Sequence, residues 1–161
     1  MNKDICKAKT VYDGKWAYGY YVVAPWEYSH ELAHLIIDQD TSYRGSGEFF
    51  WMDVRSVDPS TVCRCTGLED RHGTPIFERD IVEFTCGSHK DRYLIWWCNE
   101  MCMLTAVPLD GIEFNGWDYW SGKYPQFDYD AFCFMMQDPY GDFSDIKVIG
   151  NIVDNTELME V

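Results

Sequence analysis

Positive charge is what this chain has least of. It carries 13 lysines and arginines against 27 aspartates and glutamates, for a net charge of −14. The deficit is uneven: residues 1–80 hold 9 basic and 13 acidic side chains, while residues 81–161 hold 4 and 14. Phosphate attraction supplies most non-specific affinity for nucleic acid, so the charge argues against a general nucleic-acid binder and makes a basic partner the expected one. Long apolar runs are missing as well. None approaches the ~20 residues that a membrane helix needs, and Lys3, Asp4, Lys7 and Lys9 interrupt the start, where a secretion signal would be apolar. The expected location is the cytoplasm, with no membrane partner. There is no repeat, no low-complexity tract and no Ser/Gly linker, so one folding unit is expected. At 161 residues the chain can bury a core without disulfide staples. Its seven cysteines cannot all pair within one chain. A reducing compartment would keep them as thiols, packed like small apolar groups.

What the chain does have is aromatic and β-branched. Aromatics make up 17% of it, including 7 Trp and 11 Tyr, side chains that suit a pleated, half-buried surface. Trp16 to Val23 (WAYGYYVV) reads as a strand whose Gly19 permits a bulge or close backbone packing. Val57-Asp58-Pro59 marks a turn, and Thr61 to Thr66 a short strand. Between two apolar runs, Asp70-Arg71-His72-Gly73 predicts a hairpin loop with Gly73 at positive φ. A further turn at Glu78-Arg79-Asp80 leads into a strand at Ile81 to Phe84. Tyr93 to Cys98 and Met101 to Val107 read as paired strands around Asn99-Glu100. Val148 to Val153 reads as a closing strand before a turn at Asn155, and residues 108–130 as a long loop or extra hairpin.

Two blocks, TGLEDRHGTPIFERDIVEF from Thr66 to Phe84 and VIGNIVDNTEL from Val148 to Leu158, resemble the signature of the YopX-like proteins of phages and prophages. That signature runs roughly TGL-D-NG--I-EGDIV and later VIGNI--N-EL. The matching residues are Thr66, Gly67, Leu68, Asp70, Gly73, Ile76, Glu78, Asp80, Ile81 and Val82, then Val148, Ile149, Gly150, Asn151, Ile152, Asn155, Glu157 and Leu158. Arg79 stands where the family usually has glycine, so either this residue takes a left-handed conformation at a cost of roughly 1–2 kcal/mol or the turn differs. The resemblance implies a mainly β protein: a small SH3-like barrel core over residues 61–161, with the 108–130 segment inserted, and an N-terminal β-rich extension over residues 1–60 with little helix. It implies no particular reaction. The two blocks are each too small to bury an apolar face alone, so Ile76, Ile81, Val82, Ile149 and Ile152 are expected to share one core.

The chemistry-bearing motif is His30-Glu31-Leu32-Ala33-His34, an H-E-x-x-H string that on a helix sets two zinc-binding imidazoles and a glutamate base on one face. Pro25 at the first helical position and Glu27 in the first turn make a short helix from about Pro25 to Gln39 reasonable. A third ligand is not in evidence: no G-x-x-H follows, Asp38, Asp40, Glu48 and Asp53 have the wrong spacing, and His72 and His89 sit in turns. Cys63-x-Cys65 and Cys98-x3-Cys102 lack the two-residue spacing of a zinc knuckle, and residues i and i+2 of a strand simply share a face. The expectation is therefore no catalytic residue, no metal and no cofactor. The aromatic group Trp96, Trp97, Trp117, Tyr119, Trp120, Tyr124 and Phe127 could fill a core or an interface. Between Trp96 and Phe127 only Lys123 is basic, which disfavours stacking on bases. The leading reading is a non-catalytic phage or prophage accessory protein, in a bacterial cytoplasm, that binds a basic protein partner or itself. A zinc hydrolase built on His30, Glu31 and His34 is the alternative, and a nucleic-acid-binding SH3-like barrel the second.

Overall fold

The computed structural model describes residues 4–25, 31–38, 54–86, 89–98, 103–109 and 146–159. Ten strands are described: β1 Cys6–Lys9, β2 Trp16–Pro25, β3 Leu32–Asp38, β4 Val54–Ser56, β5 Cys63–Glu69, β6 Pro75–Phe77, β7 Asp80–Cys86, β8 His89–Cys98, β9 Met103–Pro108 and β10 Ile146–Asn151. The only helical turns among the described residues are two 3-10 turns, Pro59–Thr61 and Thr156–Met159. The fold is mainly β. Contacts gather into two compact units, residues 2–65 and 66–161, where the absence of a linker had suggested one. No linker is needed, because β5 itself crosses the boundary, with Cys63 to Cys65 in the first unit and Thr66 to Glu69 in the second.

In the first unit the strands run antiparallel in the order β4, β3, β2, β1 and the start of β5. Residues 32–38, expected as helix, are β3 instead, paired with β2 from Gly19↔Asp38 to Pro25↔Leu32. The β-branched and aromatic residues of β2 offer a full ladder of partners, which overrides the helical signals at Pro25 and Glu27. The inner face packs Ala8, Ala17, Ile36 and Val57 with Cys6, Tyr21 and Val62 around them. Asp58 caps the turn that supplies Val57 and Val62: its Oδ1 accepts from Ser60 N at 2.9 Å and from Ser60 Oγ at 2.7 Å. Gly19 answers a close approach, since a Cβ there would lie 1.9 Å from the Ile37 carbonyl oxygen.

In the second unit, β5 and β6 form the hairpin expected from Asp70-Arg71-His72-Gly73. Asp70 N donates to Thr74 O at 2.8 Å, Gly73 N donates to Asp70 O at 2.9 Å, and Gly73 has φ +76°. The remaining strands form an antiparallel sheet ordered β10-β7-β8-β9. The two signature blocks meet there, with Val148 opposite Val82 and Asn151 opposite Asp80, across a bulge between Val148 and Gly150. Among the described strands the SH3-like barrel is not closed: β10 and β9 stand at opposite ends of this sheet. Nor do the five expected core residues form one cluster. Side chains alternate along a strand, so Ile76 and Val82 pack with Ile95, Ala106 and Ile146, while Ile81, Ile149 and Ile152 pack with Leu94, Val107 and Leu109. The closing strand ends at Asn151, because Asn151 Oδ1 accepts from Val153 N at 2.9 Å and its carbonyl accepts from Asn155 N at 2.8 Å, turning the chain.

Candidate functional site

Three polar residues of the signature blocks, Asp70, Asp80 and Asn151, hold the fold. Asp70 is buried at the start of the hairpin loop. Its Oδ1 accepts from His72 N at 2.8 Å and Thr74 N at 2.9 Å, and its Oδ2 accepts from Val148 N at 3.0 Å. Burial alone would raise the Asp70 pKa; the three backbone N–H donors outweigh it and hold the carboxyl below its ordinary value. Asp80, 1% exposed, accepts from Phe77 N at 2.8 Å and from the Asn151 side-chain amide at 2.7 Å. Two carboxylates thus tie a turn to a distant strand.

The H-E-x-x-H string does not form the helix its zinc reading requires. His30 lies outside the described residues, Glu31 sits in a bend, and His34 is on β3 opposite Val23. From Leu32 to His34 the backbone is strand, not the helical turn that the zinc reading needs. The His34 ring is instead hydrogen-bonded through Nδ1 to the Tyr21 hydroxyl and stacked on that ring, centroids 5.9 Å apart and planes 18° from parallel. Burial first, then the neighbouring Cys6, pushes the Tyr21 hydroxyl above its ordinary value of 10.0. Of the carboxylates weighed as third ligands, Asp38 is on β3 and Asp40, Glu48 and Asp53 fall outside the described residues. Among those residues no group of three or more His, Cys, Asp or Glu side chains could hold a metal ion.

Cys63 and Cys65 are free thiols, both buried on one face of β5; Cys63 Sγ donates to Thr61 O at 3.3 Å. Cys102 is outside the described residues and Cys98 ends β8. His72 lies in the hairpin loop, its Nε2 accepting from Arg71 Nε at 3.1 Å, and His89 opens β8. Of the aromatic group, Trp96 packs against the Ile81 cluster and Trp97 is on β8. Trp117, Tyr119, Trp120, Tyr124 and Phe127 lie outside the described residues, as does nearly all of the 108–130 segment.

A different aromatic row emerges from the strand register. Trp16, Tyr18 and Tyr20 alternate along the outer face of β2, and Tyr18 and Tyr20 are 45% and 42% exposed. Beside them on β1, Lys9 pairs with Trp16 and Lys7 with Tyr18. Both ammonium groups lie against the Trp16 ring, 4.7 Å and 4.9 Å from its centroid. Alternation from Trp16 to Tyr20 was legible; the neighbouring lysines were not, because β1 is four residues long and carries no turn signal or β-branched residue to mark it. Among the described residues, no helix is long and apolar enough to cross a membrane.

Comparison with curated proteins finds no match. Comparison with protein families matches residues 25–160 to the family described as YopX protein, so the match begins at the last residue of β2 and takes in β3 and β4 as well as the two signature blocks. That match spans most of the sequence and contains both the Asp70 and the Asp80 networks, and the chain belongs to the YopX family.

Proposed function

We propose that the protein is a non-catalytic accessory protein of a phage or prophage that works in the bacterial cytoplasm by binding another protein. The observation that carries this reading is the outer face of β2, where two tyrosines stand well exposed beside a tryptophan on a rigid sheet. Tyr and Trp supply large contact area at little cost in side-chain entropy, and they dominate the energetics of protein interfaces. The signature carboxylates support the non-catalytic part, since their oxygens accept hydrogen bonds from the backbone and from Asn151. The acidity of residues 81–161, 14 acidic against 4 basic side chains, suits a basic partner for that half, approached by steering that salt weakens.

The test is affinity capture from a bacterial host lysate with the full chain, followed by identification of retained proteins and a salt titration. A stoichiometric protein partner supports the reading. Near-stoichiometric zinc in the purified protein, lost in His34→Ala, or retention of random duplex DNA at physiological salt, overturns it.

A further inference from the structure

Residues 66–161 carry 6 basic side chains against 18 acidic ones, net −12, yet four of the six gather in one place. The register sets Lys147 of β10, Glu83 of β7 and Arg92 of β8 in one row across the second sheet, with Lys90 two residues further along the same face. Arg71 joins them from the hairpin loop, because its backbone N–H donates to the carbonyl of Ile146, next to Lys147, at 3.0 Å. The Glu83 carboxyl lies below its ordinary value, first through the hydrogen bond from Lys90 at 2.7 Å and then through the charges of Lys90, Lys147 and Arg71. Two of the four cations already have partners: Lys90 has Glu83, and Arg92 Nη1 donates to the Leu158 carbonyl at 3.1 Å. The other two, Arg71 and Lys147, are exposed. Among the described residues the Lys147 ammonium has no hydrogen-bond or ion-pair partner, and the Arg71 guanidinium gives only Nε, to His72 at 3.1 Å. Its two terminal nitrogens remain, the fork that meets two oxygens of one anion.

We propose that Arg71 and Lys147 form a binding site for a single phosphate monoester group. Lys90 and Glu83 cancel each other, which leaves two unpaired positive charges for a group that carries about −2 at neutral pH. A carboxylate would match only one of them. A run of phosphates, as in nucleic acid, would extend into a unit of net −12. The group can be carried by a phosphorylated side chain or by a small molecule. The site goes beyond the protein-binding reading, because it needs no partner protein to fill it.

The experiment follows the backbone amide NMR signals of the isotope-labelled full chain at constant ionic strength. The probes are inorganic phosphate, a phosphoserine tripeptide, a glutamate tripeptide and oligo(dT). Both phosphate probes are expected to shift the Arg71, His72 and Lys147 amides and to saturate below ~10 mM, with the glutamate probe at least about fivefold weaker. Arg71→Gln and Lys147→Gln are each expected to weaken phosphate binding by at least about fivefold. Glu83→Gln, which removes the central carboxylate and releases Lys90, is expected to tighten it. Lys15→Gln, the same charge change in the first unit, is expected to leave it unchanged, with thermal melting confirming that all variants fold. Tighter binding of the phosphoserine probe supports a phosphorylated side chain as the source, and tighter binding of inorganic phosphate a small molecule. No saturation, equal binding of the glutamate probe, an equal loss in Lys15→Gln, weaker binding in Glu83→Gln, or tightest binding of oligo(dT) overturns the proposal. Lysate capture, which tests the protein-binding reading, does not depend on any of these results.

Discussion

Asn151 donates its side-chain amide to the Asp80 carboxylate across 2.7 Å, joining the start of β7 to the end of β10 through residues 71 apart in sequence. Both side chains are buried, so the bond is made where a lost partner is expensive. Asn151→Ala is expected to lower stability by on the order of 1–3 kcal/mol, because it removes a donor from a buried carboxylate and an acceptor from Val153 N. A urea midpoint unchanged from wild type would contradict this.

Asp70 gives an acid-sensitive contribution to stability. Its folded pKa lies below the ordinary 3.8, so the stabilisation is complete above that value and is lost as pH falls from 3.8 through the folded pKa. Asp70→Asn sets an amide or carbonyl against three backbone donors, and one of the three loses its acceptor. The variant is expected to be less stable than wild type at pH 7, with the gap narrowing at pH 3. Urea titrations at the two pH values check it, and a gap of constant size would be the contrary result.

Arg79 has φ +66°, the one described residue other than glycine at positive φ. The turn thus keeps its shape and the residue bears the Cβ strain. Arg79→Gly should relieve it and raise stability by about 0.5–1 kcal/mol, after allowing for the greater freedom of glycine in the unfolded chain. A drop in the denaturation midpoint would mean that Arg79 side-chain contacts outweigh the strain.

Two glycines separate conformational from steric cost. At Gly73 a Cβ would have Glu69 Oε2 at 3.9 Å as its nearest neighbour, so Gly73→Ala should cost only the left-handed penalty, about 1–2 kcal/mol. At Gly19 the same change drives a methyl group into the Ile37 carbonyl and should cost more by prising β2 from β3. Chemical denaturation of both variants ranks them, and the reverse order would be inconsistent with the register.

Turns and alternation were the legible part of the sequence. Asp70 to Gly73, Asp58-Pro59 and Asn155 announce themselves through residues with specific backbone preferences, and β2, β7 and β8 through alternation or β-branched content. The β3 strand was hidden, because Leu32 to Asp38 holds no turn residue and follows Pro25 and Glu27, which belong equally to a helix start. Which strand neighbours which is fixed by packing across the whole sheet, so neither the Tyr21–His34 pair nor the lysines beside Trp16 could be read from local spacing. The described strands form an open sheet where the resemblance implied a barrel, since strand content does not determine whether edges close.

Strand β5 serves both units along its seven residues, which limits how the chain can be divided by experiment or by recombination. A break after Cys65 leaves one fragment with a stub and the other without the strand that begins its hairpin, and each then exposes unsatisfied backbone edge groups. An exchange that replaced one half would therefore have to rebuild this strand to suit the other.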